Sequence, residues 1–137
     1  MTDLVDIAEF ASEEFAPALP EERQVNPQVY GAELAFWLCR ALARVGVPTS
    51  YPQPEDWGWY IDYESESGSK FAIHCGNVDG SGSRWFLCLR RFGRKAFGRD
   101  KPPYADAAVL VAAVKRCLES QASVTDLRWA YSEPETG

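Results

Sequence analysis

Two groups of residues have the composition to do chemistry: a lone histidine with cysteines nearby, and a run of cations interleaved with phenylalanines. His74 is the only histidine among 137 residues, so any imidazole-dependent mechanism has to use it. Its sequence neighbour Cys75 cannot be its partner in a regular strand, because successive strand residues point to opposite faces. Cys88, on the next apolar stretch, can share a face with His74 if the register allows. No nucleophile motif surrounds either residue. The reading is a half-buried, hydrogen-bonded histidine, with no catalytic residue assigned and no enzymatic activity expected. Cys39, Cys75, Cys88 and Cys117 contain no CxxC pair, and each sits among apolar residues. Zinc takes about four converging ligands, so the cysteines read as small buried hydrophobes, with neither metal nor cofactor. Asp79–Ser83 (DGSGS) lacks the Lys-Ser/Thr that completes a phosphate-binding loop and reads as a hairpin turn. The carboxylates of Glu55-Asp56 and Glu64–Glu66 read as solvated turn charges.

The cationic run is RRFGRKAFGRDK, at 90–101. Arg90, Arg91, Arg94, Lys95 and Arg99, with Phe97 among them, can grip an acidic partner or a phosphate backbone while the rings stack. The net charge of −6 disfavours nonspecific nucleic-acid binding, which needs a cationic surface. Residues 1–22 carry seven acids and no cation, so charge is segregated along the chain. Tyr60 and Phe86 fall opposite the apolar faces of their strands, where aromatic side chains serve as interface anchors. The partner-binding candidates are therefore Arg90, Arg91, Arg94, Lys95, Arg99, Phe97 and Tyr60. They suit a small noncatalytic module that occupies a protein partner, in the manner of an immunity, inhibitor, adaptor or chaperone-like protein. The alternative is a nucleic-acid-binding module using the loop 90–101; a third reading is an enzyme or ligand binder around His74. Homodimerisation is compatible with each.

These residues must be positioned by the elements around them. Leu4, Ile7, Ala8, Ala11 and Phe15 recur at helical spacing, which predicts a short helix over 2–15. Residues 16–25 form a proline-bearing connector, extended at 23–25. Asn26-Pro27 is a helix start and Gly46 a stop, bracketing a helix over 28–44 with Tyr30, Leu34, Trp37, Leu38, Ala41 and Leu42 on one side. Pro48, Pro52 and Pro54 stiffen the stretch that delivers Trp57. Three strands follow. Trp57, Trp59, Ile61 and Tyr63 alternate in the first; Phe71, Ile73 and Cys75 in the second; Trp85, Leu87 and Leu89 in the third. A helix over 104–120 and a strand from Thr125 to Tyr131 complete the set.

The order (α)-α-β-β-β-α-β predicts an α+β fold: an antiparallel sheet of three to four strands, a meander plus a C-terminal strand, with two main helices on one face. The expected organisation is an acidic N-terminal segment at 1–25, one domain at 26–132 and a disordered tail at 133–137. The acidic start is unlike a signal peptide. The longest apolar runs are too short to span a bilayer. A cytoplasmic protein with no membrane association is expected.

Overall fold

The computed structural model describes residues 3–17, 29–92 and 101–134. Six strands and two helices follow in the order β1 (Leu4–Ala11), α1 (Ala32–Arg44), β2 (Gln53–Glu55), β3 (Gly58–Glu64), β4 (Lys70–Asn77), β5 (Arg84–Arg91), α2 (Ala108–Ser120) and β6 (Thr125–Trp129). The strands form one antiparallel sheet in the order β2-β3-β4-β5-β1-β6. The α+β class and the antiparallel meander are as the sequence predicts. The sheet has six strands rather than three or four, and both additions have physical causes.

The first addition is β1, which replaces the helix expected over 2–15. Val5, Ile7, Ala8 and Phe10 face the core, while Leu4, Asp6, Glu9 and Ala11 face the other way. A bulge between Asp6 and Ala8 puts Ile7 and Ala8 on the same side and so breaks the alternation. That skip leaves Asp6 and Glu9 three apart, which mimics the polar spacing of a helix. Pairing on both sides, with β5 and β6, decides the matter in favour of the strand. The second addition is β2, a three-residue edge strand whose Pro54 stands opposite Trp59. Proline is tolerated at a sheet edge, where the missing N–H breaks no inner ladder.

Helix α1 begins at Ala32, later than the expected Gln28; the Asn26-Pro27 start and the extended piece at 23–25 lie outside the described residues. Its N-cap is Gly31, with φ 142°. A Cβ there would stand 2.6 Å from the Cys75 carbonyl oxygen, so the chain passes too close to β4 for any side chain. Tyr30 N–H donates to Asn77 Oδ1 at 2.9 Å, tying the same junction to β4. The expected stop holds: Gly46 is left-handed at φ 84°, and Val47 N–H reaches back to the Leu42 carbonyl at 2.9 Å. A 3₁₀ turn at Tyr104–Ala107 leads into α2.

Both helices pack on one face of the sheet. Leu34, Leu38 and Leu42 of α1, with Leu110, Val114 and Leu118 of α2, join Ile7, Phe10, Ile61, Phe71, Ile73, Trp85, Leu87 and Leu89 in one core. Trp85 is fully buried, and its indole N–H donates to the Ser12 carbonyl at 2.9 Å. No helix among the described residues is long and apolar enough to cross a membrane.

Candidate functional site

The strand faces that the helices leave uncovered carry a different set of residues. The register aligns Tyr60, His74, Cys88 and Asp6 in one cross-strand row, and Asp62, Ala72, Arg90 and Leu4 in the next. Tyr60 and His74 of the first row and Asp62 and Arg90 of the second line a cleft of about 680 Å³, within the range of ligand sites. None of the described residues that line it is helical.

The aromatic end of the cleft is built by the β2–β3 hairpin. Glu55 pairs with Gly58, so Asp56 and Trp57 form a two-residue turn. Trp57 therefore leaves the strand and folds over the uncovered face, contrary to the expectation that it shares the core face with Trp59. Its indole stacks on the His74 imidazole at 4.0 Å and 22°, with Tyr60 a further 6.3 Å from the indole. Gly58, at φ 151°, allows the close approach: a Cβ there would stand 2.7 Å from the Cys75 carbonyl oxygen. The proline-rich stretch braces this wall. Ser50 N–H donates to the Asp62 carbonyl at 2.8 Å, and Asp62 N–H returns a bond to Ser50 Oγ at 2.9 Å.

The register does bring His74 and Cys88 together as cross-strand partners on one face. Their protonation states are not those of a nucleophilic pair. Burial, with the Arg90 cation adding to it, pushes the His74 imidazole down to about 4. Burial pushes the Cys88 thiol up to about 12, helped by its contact with the Asp6 carboxylate, whose Oδ1 it meets at 3.5 Å. Both are neutral at ordinary pH, so no thiolate–imidazolium pair forms. His74 is only 8% exposed, yet none of the described hydrogen bonds reaches its ring nitrogens. The expected hydrogen-bonded histidine is thus a stacked one. All four cysteines are free and buried. Among the described residues no set of three His, Cys, Asp or Glu side chains converges as a metal site.

The partner-binding candidates separate. Arg90 and Tyr60 both line the cleft. The Arg90 guanidinium lies 4.7 Å from the centre of the Phe92 ring, and its charge also acts on His74. Arg91 points to the opposite face and is buried. There it donates to Asp3 Oδ1 at 3.2 Å and to the Pro102 carbonyl at 3.3 Å, and stacks over the Tyr104 ring. Its place is that of a structural cation. Arg94, Lys95, Phe97 and Arg99 lie outside the described residues. Trp57, Asp62 and Lys70 also line the cleft; alternation placed Trp57 on the core face and gave Asp62 and Lys70 no binding role.

Comparison with protein-family models, with curated proteins and with solved structures gives no match for this chain. The functional reading therefore stands on the site alone.

Proposed function

We propose that the chain is a small noncatalytic binding module that acts by occupying a protein partner, with the uncovered face of the sheet as its recognition surface. The observation that carries this is the cluster of Trp57, Tyr60 and His74 beside a guanidinium, Arg90, that has no carboxylate partner among the described residues. Tyr60, His74 and Arg90 are held on strands and Trp57 by its stack on His74, which lowers the cost of ordering them on binding. The neutral His74–Cys88 pair favours recognition over bond-making chemistry at this face. The edges of the sheet suit pairing with another chain poorly. β2 is short and carries Pro54, and β6 is irregular at Asp126, with φ 50°.

The test is a native pull-down of the tagged protein from its own cell lysate, at low and high salt, beside the Tyr60→Ala/Arg90→Gln double variant. The expected result is a stoichiometric protein that the wild type retains and the folded double variant loses. A partner retained equally by both would sink the reading, as would recovery of nothing but nucleic acid at low salt. The latter is the outcome for a nucleic-acid module using 90–101, for which Arg90 over Phe92 is the supporting observation.

A further inference from the structure

Charge along the cleft is sorted by strand. Its carboxylates, Glu55, Asp62 and Glu64, come from β2 and β3, and its cations, Lys70 and Arg90, come from β4 and β5. Asp62 and Arg90 occupy one cross-strand row with only Ala72 between them. Two strand spacings separate their backbones by about 10 Å. Glu64 and Lys70 stand opposite each other on β3 and β4, but no ion pair closes among Asp62, Glu64, Lys70 and Arg90 in the described residues. Burial raises the Asp62 carboxyl above its usual range, with Lys70 opposing, which marks an acid only partly relieved of its desolvation. At the aromatic end, His74 offers ring nitrogens that no described residue satisfies. No buried side-chain nitrogen or oxygen among the described residues lacks a partner, so these nitrogens are open to solvent, where a ligand N–H can reach them.

Resting on the recognition-face reading above, we propose that the cleft takes a peptide segment of the partner presenting an aromatic side chain between a basic and an acidic residue. The ring packs against Trp57 and Tyr60. The basic side chain meets the carboxylates of β2 and β3, and the acidic one meets Arg90 and Lys70. A backbone N–H of the segment donates to the His74 imidazole. The same wall of carboxylates repels a phosphate backbone, which favours a peptide over a nucleic acid in this cleft.

The probe is a capped pentapeptide of lysine, alanine, phenylalanine, alanine and glutamate, made in both chain directions. Control peptides replace the phenylalanine by alanine, or both charged residues by glutamine. Binding is read by calorimetry and by the proton resonances of His74, the single histidine of the chain. At least one direction of the charged aromatic peptide shifts His74 and binds about tenfold or more tightly than either control. Arg90→Gln and Asp62→Asn each weaken it and flatten its salt dependence. Controls that bind as well as the full peptide overturn the proposal, as does a DNA oligonucleotide that binds in preference to every peptide. If no peptide moves His74 while the Tyr60→Ala/Arg90→Gln variant still loses the lysate partner, this motif falls and the recognition face stands. If the variant keeps that partner, the face itself falls.

Discussion

His74 is held neutral against the Trp57 indole, and the linkage that follows has a definite sign. Its folded value of about 4 lies below the ordinary 6.5, so between those values the unfolded chain binds the extra proton and the folded one does not. Stability is therefore lost as the pH falls through that window. His74 contributes a loss of about 2 kcal/mol between about pH 7.5 and about pH 5. Urea midpoints at the two pH values, wild type beside His74→Gln, isolate this from the carboxylates lining the same cleft; equal pH slopes would refute it. A second contrast concerns adjacent arginines. Arg91→Ala removes a buried cation from Asp3, Pro102 and Tyr104 and destabilises by about 2 kcal/mol, whereas Arg90→Ala stays within about 0.5 kcal/mol. Denaturation curves of the two variants check it. The sequence could not separate these arginines, because their roles follow from alternation across β5 and from what covers each face. Trp57 was misplaced for a related reason: alternation was extended one residue past the strand, into a turn.

At the scale of elements, what was legible followed ordinary periodicity. Both helices, the three meander strands and the final strand were readable, because each shows an uninterrupted stripe or alternation and Gly46 terminates α1 in the expected way. β1 was not legible, because its bulge imitates helical spacing and its pairing partners are distant in sequence. β2 was not, because three residues including a proline carry no periodic signal. The placement of β1 inside the sheet makes its core positions expensive to vacate. Phe10→Ala, at a fully buried position facing Trp85, is expected to cost about 4 kcal/mol by chemical denaturation. A cost below about 1 kcal/mol would fit a loosely docked segment instead. The β4 junction makes a separate prediction. Gly31→Ala and Gly58→Ala each drive a Cβ toward the same Cys75 carbonyl and should lose about 2 kcal/mol or more. Gly46→Ala meets no atom and should lose only about 1 kcal/mol, from its positive φ alone. Thermal unfolding of the three variants ranks them.

For the whole molecule, the four buried thiols report on global opening. Cys75 and Cys88 are both raised by burial, and none of the four is exposed. A thiol reagent at mildly alkaline pH should therefore label the native protein slowly and the urea-unfolded protein at once. Rapid labelling of one site in native conditions would expose a local opening there. The sheet order carries a further consequence, for the way the chain reaches this state. β1 leaves the ribosome before either of its neighbours, yet Leu4 must find Arg90 and Ala8 must find Trp129. The meander of β2 to β5 can assemble from contacts near in sequence, but among the described strands β6 pairs only with β1. Closing such long loops before any reward slows folding. The expected order is a prompt meander, followed by a late, joint docking of β1 and β6. Until that step the edge of β5 is bare and can pair with another chain. Refolding yield should thus fall as protein concentration rises, and an excess of free peptide spanning β1 should compete for that edge and slow the final docking step.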